Sequence, residues 1–229
     1  MKWMQNKDLH DLDFADDLAL FSDELQQLQQ KTDNLAFYAE QTGLQVNVDK
    51  TKAMYIAADN DDKIIINNNP VETVNKFTYL GSLIDAKNGA SADIRARIDK
   101  ANGAFAMLRN IWRSNKYGER TKIRIYNSNV KSVVLYGSEC WRSNVVDMKK
   151  LDVFHNRCLR RICGIRWPDI ISNRGLHKRT NGWPISQEIK HKRFTWLGHV
   201  LRMHGSRIPR QTLDWRPDGV RGRGRPRGT

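Results

Sequence analysis

The first 90 residues of this 229-residue chain contain no arginine, although the whole chain has a net charge of +14. Residues 1–90 carry 8 lysines against 15 acidic residues, a net charge of −7, and residues 91–229 carry 31 basic against 10 acidic residues, a net charge of +21. All 22 arginines therefore lie in the second part. Because arginine binds phosphate bidentately, this asymmetry indicates a polyanionic partner, such as nucleic acid, for the second part.

The chain has few cysteines and no long apolar run. The three cysteines have irregular spacing, which argues against a disulfide framework and for a reducing compartment. The first residues lack the apolar core of a secretory signal, and no apolar run approaches the roughly 20 residues that a membrane span requires. We therefore expect an intracellular protein of the nucleus and cytoplasm, with no membrane partner.

Hydrophobic periodicity predicts an α+β fold with a change of character near residue 90. In residues 1–90, LHDLDFADDLALF predicts two short strands with acids at the turn, and Ser22 is expected to cap a helix over about 23–41. Further strands are expected in LQVNV, KAMYIA, KIII and KFTYLGSLI, the last as one strand whose internal glycine indicates a bulge or a close backbone approach. Helical periodicity follows; the predicted helices cover residues 91–113, 119–135, 146–163 and 186–203.

Asp16 and Asp17 are adjacent acids between two apolar strips. Two like charges in such a place repel each other unless a cation or hydrogen bonds compensate. Phosphoryl transfer by two metal ions requires carboxylates on a rigid platform, and a strand–turn–strand is such a platform. A pair of aspartates is also typical of an ordinary surface turn, so the pair alone leaves both interpretations open.

The blocks around this pair favour the first interpretation. LDFADDLAL resembles the palm hairpin of reverse transcriptases, and GLQVNVDKTKAM (43–54) and FTYLGSLI (77–84) are similar to the two blocks that follow it in non-LTR, LINE-like retrotransposon enzymes. Downstream blocks also resemble that family; they are SVVLYGSECW (132–141), FHNRCLRRICGIRWPDIISN (154–173), RFTWLGHVLRM (193–203) and TLDWRPDGVRGRGRP (212–226). The resemblance runs in order over nearly the whole chain.

The resemblance implies roles for individual residues. Asp16 matches a catalytic metal ligand, Asp17 matches its neighbour at the same site, and Lys50 matches a lysine that would orient or protonate the leaving pyrophosphate. Tyr79, Leu80 and Gly81 match the primer grip. The implied cofactor is Mg²⁺ (or Mn²⁺), and the implied substrates are an RNA template, a DNA primer or target, and a dNTP. Without the resemblance, Lys50 is a solvated charge and the primer-grip residues are strand core.

The chain departs from the family pattern upstream of the hairpin. The family has another essential aspartate on an earlier palm strand, and Asp8, Asp11 and Asp13 lie too near the turn to replace it. We therefore expect the C-terminal part of a reverse transcriptase with little polymerase activity alone. The expected parts are a partial palm sheet with a helix (1–90), an all-α thumb (91–143), a basic helical domain (144–204) and a disordered Arg/Gly-rich tail (205–229).

An alternative function is a non-catalytic nucleic-acid-binding module, or a relic open reading frame, left after the polymerase core was lost. In either case the arginines are expected to contact phosphates in a salt-sensitive manner with weak sequence selectivity. A merely soluble basic face is the alternative. The expected contact residues are Arg157, Arg160, Arg161, Arg166, Arg193, Arg221, Arg223 and Arg225.

Two further groups of side chains have competing interpretations. His155, Cys158 and Cys163, with His177 or Cys140 as a fourth ligand, could form a zinc site, but their spacing does not fit the common finger patterns and favours a helical core. Tryptophans recur among the arginines and could stack on unpaired bases. Of these, we expect Trp196 to be buried and Trp141, Trp183 and Trp215 to be more exposed.

Overall fold

A computed structural model describes residues 2–4, 7–56, 62–142 and 144–213, and at 2–4 and 7–8 it describes the backbone alone. The described residues form two compact units, and the boundary along the chain falls between Gly89 and Ala90. The first unit contains all the described strands and one helix, whereas the second contains only helices among its described residues. The α+β class is thereby confirmed, and the assignment of the units to a palm and a thumb remains a prediction.

The strands of the first unit associate in pairs. Four pairs are antiparallel and one, β5 with β8, is parallel. The pairs are β1 (Lys2–Met4) with β2 (Lys7–Asp8), β3 (Asp11–Phe14) with β4 (Asp17–Leu20), β5 (Lys52–Ala53) with β8 (Glu72–Thr73), β6 (Ile65–Ile66) with β7 (Asn69–Pro70), and β9 (Lys76–Tyr79) with β10 (Ser82–Asp85). Within the described residues no ladder joins more than two strands.

The segment KFTYLGSLI forms a hairpin, so the prediction of one continuous strand was wrong. Leu80 and Gly81 both have left-handed backbone conformations, with φ of 48° and 80°. Such residues build the two-residue turns whose twist matches that of paired strands. Tyr79 consequently lies opposite Ser82, and β9 and β10 run antiparallel from there.

The prediction of a strand in LQVNV was also wrong. The side chain of Asn47 accepts a hydrogen bond from the Lys50 backbone N–H at 3.0 Å, and the Asn47 carbonyl accepts one from the Thr51 N–H at 3.0 Å. Such local bonds compete with strand pairing, and the chain turns at residues 48–50. Val46 and Val48 nevertheless pack against the core of the unit, which explains the alternating apolar pattern.

Helix α1 (Leu25–Gln41) matches the predicted helix except at its start. Its N-cap residue is Glu24, and Ser22 instead accepts the Glu24 backbone N–H at 3.2 Å. The core of the first unit is small; its buried residues are Ala53, Ile64, Ile66 and Val71. On the β3–β4 hairpin Phe14 is 64 % exposed, so burial of its side chains contributes little to holding this hairpin.

The second unit contains the four predicted helical segments, some of them divided. The elements are α2 (Ala90–Met107), α3 (Arg109–Arg113), α4 (Glu119–Tyr126), α5 (Ser132–Leu135), α6 (Val145–Ile162), α7 (Asn173–Thr180), α8 (Ile185–Leu201) and α9 (Ile208–Thr212). A π-helical turn, 127–131, links α4 to α5. The sequence did not predict α7 or α9, and α9 lies inside the segment expected to be a disordered tail. The rest of that tail, residues 214–229, lies outside the described residues.

One hydrophobic core holds the second unit together. Ile94, Tyr126, Leu151 and Leu176 are fully buried in it, and they come from four different helices. Burial of large apolar side chains is the main stabilising term in such a core, at roughly 1.5–3 kcal/mol each. The second unit therefore gives a rigid support to any residues presented on its helices.

Candidate functional site

The FADD segment lies at a tight turn, as predicted. Phe14 is paired with Asp17, which leaves Ala15 and Asp16 as the two turn residues. Ala15 has a φ of 54°, a left-handed conformation that costs a non-glycine residue roughly 1–2 kcal/mol. Asp16 therefore lies at the tip of the hairpin, and Asp17 is the first residue of β4. Backbone strain of this kind is often found at functional sites.

Polar contacts to its backbone hold the hairpin in place. The Tyr79 hydroxyl donates to the carbonyl oxygens of Leu12 at 3.2 Å and Asp17 at 3.4 Å. At the open end, the Lys31 ammonium on α1 donates to the Phe21 carbonyl at 2.6 Å. These contacts fix the main chain and leave the carboxylates available.

The two carboxylates are indeed exposed. Within the described part of the chain, the side chains of Asp16 and Asp17 make no hydrogen bond or ion pair. Partial burial, followed by the charges of Asp17 and Asp13, raises the pKa of Tyr79 above its usual value of 10.0. The phenol therefore stays protonated at physiological pH and remains a hydrogen-bond donor to the hairpin.

The remaining residues of the predicted active site differ in how they relate to the hairpin. Tyr79 contacts it directly, whereas Leu80 and Gly81 form the turn of the neighbouring hairpin, with Leu80 37 % exposed. Lys50 is exposed, and its ammonium has no hydrogen bond or ion pair to any described residue. Tyr79 therefore contacts the hairpin that carries Asp16 and Asp17. Among the described residues, Lys50 makes no hydrogen bond or ion pair with either aspartate.

The donor set at the hairpin suits a hard divalent cation. Mg²⁺ prefers oxygen ligands and is often bound by one or two carboxylates together with substrate phosphates. Asp16 and Asp17 supply two such carboxylates without competing protein contacts. Among residues 9–56, 62–142 and 144–213, however, no group of three or more His, Cys, Asp or Glu side chains is placed to hold a metal ion. The two aspartates therefore fit part of a magnesium site.

The side chains of the possible zinc site point to different partners. The Cys163 thiol donates to Glu119 Oε1 at 3.4 Å, while Cys158 is 2 % exposed within the helical core. Burial raises the pKa of both thiols to about 12, so neither favours the thiolate that zinc requires. Cys140 is exposed. This arrangement favours the core interpretation.

His155 has a separate environment inside the same core. The Tyr126 hydroxyl lies 2.7 Å from His155 Nδ1, and the ring of His177 stacks on that of His155 at 5.7 Å. Burial, with smaller effects from Lys131 and His177, lowers the pKa of His155 to about 3. A backbone interaction with Trp183 opposes this shift of the pKa, and His155 Nε2 has no well-aligned hydrogen-bond partner among the described residues. The neutral imidazole is therefore held by a buried hydrogen bond between Nδ1 and the Tyr126 hydroxyl.

The arginines expected to contact nucleic acid divide into two groups. Arg160 donates to the Ile171 carbonyl at 3.3 Å and to Asn173 Oδ1 at 2.7 Å, and Arg193 donates to the Trp141 carbonyl. The guanidinium groups of these two arginines are therefore engaged in hydrogen bonds within the protein. Arg157, Arg161 and Arg166 are exposed and form the second group. The remaining three, Arg221, Arg223 and Arg225, lie outside the described residues.

The exposure of the tryptophan side chains differs in part from the exposure predicted from the sequence. Trp141 is 7 % exposed and its indole N–H donates to the buried Asp93 carboxylate at 2.8 Å, so the prediction of a more exposed side chain was wrong. Trp196 is 43 % exposed, so the prediction of a buried side chain was wrong. Trp167 and Trp183 are 93 % and 66 % exposed, which leaves both available for stacking, and Trp215 lies outside the described residues.

Sequence reasoning missed two residues that shape these surfaces. Lys31 is one of many charged residues on a helix, and nothing in the sequence shows that it binds the end of the hairpin. Asn102 accepts a hydrogen bond from Arg157, 55 residues away, at 2.7 Å. Contacts across such separations depend on helix packing and have no local sequence signal.

Comparisons with known proteins match a family model to part of the chain and a transposon-derived protein to most of it. No helix among residues 9–56, 62–142 and 144–213 has both the length and the apolar character to cross a membrane. Residues 104–136 match a domain of unknown function (DUF6451). The chain is 26 % identical over 224 residues to the Caenorhabditis elegans protein named "Putative uncharacterized transposon-derived protein F52C9.6", covering 93 % of this chain and 79 % of that protein. No solved structure matches.

Proposed function

We propose that this chain is the C-terminal part of the RNA-directed DNA polymerase of a non-LTR retrotransposon. In this proposal the Asp16–Asp17 hairpin belongs to the site of metal-dependent nucleotidyl transfer, and the basic second unit binds RNA template and DNA primer. The relative named as transposon-derived supports a transposon origin, and the ordered sequence blocks support the polymerase assignment.

One observation carries the proposal. The FADD segment and the FTYLG segment were matched to the family as separate blocks, and Tyr79 joins them by a hydrogen bond to Asp17, 62 residues away. The interpretation of FADD as an ordinary surface turn does not predict a contact with the FTYLG segment. A catalytic hairpin and a primer grip must lie side by side, since the primer end has to reach the reacting phosphate.

The residues of the site would then have distinct tasks. Asp16 and Asp17 would hold Mg²⁺, which when bound neutralises charge on the transferred phosphate. Tyr79 would fix the backbone of the hairpin and keep Asp17 at the site. Lys50 is exposed and would donate a proton to, or orient, the leaving pyrophosphate.

A non-catalytic nucleic-acid-binding module is the second candidate, and a specific observation favours it. The described residues provide two carboxylates at the hairpin and no third acid placed with them to hold a metal. A two-metal site normally needs more oxygen ligands than this. The 229-residue chain on its own is therefore expected to show little or no primer extension.

Binding to a labelled primer–template RNA/DNA hybrid tests the proposed function. The affinity of the purified chain is measured from about 50 to 200 mM KCl, because phosphate contacts make the logarithm of the binding constant fall linearly with that of the salt concentration. We expect a steep decrease in affinity. An affinity that does not change with salt would refute the phosphate contacts on which both candidates depend.

A second arm of the same experiment separates the two candidates. The series is repeated with Mg²⁺ for the wild type and for Asp16→Asn. A gain in hybrid affinity with Mg²⁺ that Asp16→Asn lacks would support the polymerase assignment. An equal response of the two proteins would favour the non-catalytic module.

A further inference from the structure

Helices α2 and α6 lie side by side and run in the same direction. The Ser91 hydroxyl donates to Asp147 Oδ2 at 2.6 Å near the start of both helices, and Arg157 Nη2 donates to Asn102 Oδ1 at 2.7 Å about three turns further on. The separation along the chain is nearly the same for the two pairs, 56 and 55 residues. The helices therefore keep a constant register and enclose a groove.

The groove opens into a pocket of about 250 Å³ beyond the second of these contacts. Its lining residues are Asn102, Phe105, Ala106, Arg157, Cys158 and Arg161. Two of these side chains are cationic, one is an amide, and none is acidic. The small side chain of Ala106 leaves room on the α2 side, opposite the arginines of α6.

The two arginines are held differently. Arg157 is oriented by its bond to Asn102, and its guanidinium lies 5.8 Å from the centre of the Phe154 ring. Arg161 follows one helical turn later on the same face, is exposed, and makes no hydrogen bond or ion pair to a described residue. Residues four apart on a helix have neighbouring side chains, so both guanidiniums reach the same pocket.

The floor of the pocket has no compensating negative charge. Cys158 is the buried ionisable group there, and burial raises the pKa of its thiol to about 12. The thiol is therefore neutral at physiological pH. The cationic charge of Arg157 and Arg161 is thus balanced by no lining side chain, and an anion would balance it.

We infer that the groove between α2 and α6 binds the phosphodiester backbone of a nucleic-acid strand, with Arg157 and Arg161 as the phosphate-binding residues. The inference rests on the proposed function, since it gives the nucleic acid of the basic unit a defined site. Arginine suits this task because its planar guanidinium bonds two phosphate oxygens at once. Asn102 orients one guanidinium in advance, which reduces the entropy lost on binding.

Neighbouring arginines do not line this pocket. Arg160 is on α6 as well, but it is bonded to Ile171 and Asn173. Arg193 is bonded to the Trp141 carbonyl. Charge alone would make the four arginines equivalent, whereas the structure singles out Arg157 and Arg161.

The test measures binding of the full chain to a fluorescently labelled single-stranded oligouridylate over a KCl series. The variant is Arg161→Gln, and the matched control is Arg124→Gln, which removes an exposed arginine of α4 that also lacks a side-chain partner among the described residues. Circular dichroism and the thermal midpoint establish that each variant is folded.

We expect Arg161→Gln to weaken binding about tenfold at low salt. It should also make the salt slope shallower by about 0.7, the value for one phosphate contact on a single strand. Arg124→Gln should change neither quantity by a comparable amount. Arg161→Lys should keep most of the slope, because it keeps the charge, and lose part of the affinity, because it cannot bond bidentately.

Two results would overturn the inference, and they differ in meaning. If the wild type binds in a salt-dependent manner and Arg161→Gln matches Arg124→Gln, the groove is wrong while binding by the basic unit stands. If the wild type does not bind at all, the groove and the nucleic-acid part of the proposed function both fail.

Discussion

The hydroxyl group of Tyr79 donates to the backbone carbonyl of Asp17 at 3.4 Å, and it donates also to that of Leu12 at 3.2 Å. One side chain therefore contacts both strands of the acidic hairpin. The hairpin buries few of its own apolar side chains. Its position therefore depends largely on this contact and on the hydrogen bond from Lys31 to the Phe21 carbonyl.

Replacement of Tyr79 by phenylalanine should loosen the hairpin. The change removes the hydroxyl and keeps the ring, so the expected loss is about 1 kcal/mol of local stability. Amide hydrogen exchange in β3 and β4 measures it, and exchange should become faster there. Tyr55→Phe is the control, since it removes a similar hydroxyl bond to the Asp62 carbonyl at 2.7 Å. Equal exchange in β3 and β4 for the two variants would contradict the role of Tyr79.

Mild acid should destabilise the second unit through His155. Its pKa is about 3 in the folded protein and about 6.5 when exposed, so the unfolded chain takes up a proton first as the pH falls. The stabilisation is complete above about pH 6.5 and decreases as the pH falls towards 3, by up to about 1.4 kcal/mol per pH unit. Burial lowers the pKa of His177 as well, which adds to the same trend.

Urea unfolding of the wild type and His155→Gln at pH 7 and pH 5 checks this prediction. The free energy of unfolding should fall less between these pH values in His155→Gln than in the wild type. His191→Gln, an exposed position on α8, should retain the wild-type decrease. A decrease of the same size in His155→Gln would show that His155 does not cause the effect.

Trp141 should be important for stability although the sequence places it at a break between helices. Trp141→Phe removes the indole N–H that donates to Asp93 at 2.8 Å, and Asp93 is 4 % exposed. Loss of a donor to a buried carboxylate costs about 1–3 kcal/mol. Trp183→Phe, at a 66 % exposed position, should change stability by no more than about 0.5 kcal/mol. Chemical denaturation compares the two, and equal losses would refute the structural role.

Local patterns predicted the elements whose folding depends on nearby residues. The acidic turn followed from two apolar strips around Asp16 and Asp17, and it forms as expected. The four long helical segments followed from their periodicity. KFTYLGSLI was mispredicted because left-handed backbone at Leu80 is uncommon for a non-glycine residue, so the sequence indicated a strand where the chain turns.

Local patterns could not predict contacts between residues that are distant in the sequence. Arg157, Arg160 and Arg161 belong to the same basic run, yet one is bonded to α2, one to the start of α7 and the loop before it, and one to no described residue. Their different tasks depend on the packing of helices that are separated by up to 55 residues. Charge counts therefore predicted a basic surface and could not locate the groove within it.

DNA synthesis dependent on the hairpin tests the central claim most directly. The chain is joined to the upstream palm segment of a non-LTR reverse transcriptase, and Mg²⁺-dependent primer extension on an RNA template is measured. Asp11→Asn is the matched control, since Asp11 is an exposed acid on the same hairpin. The account predicts synthesis by the wild type and Asp11→Asn and none by Asp16→Asn. Equal synthesis by Asp16→Asn, or none by the wild type, would contradict it.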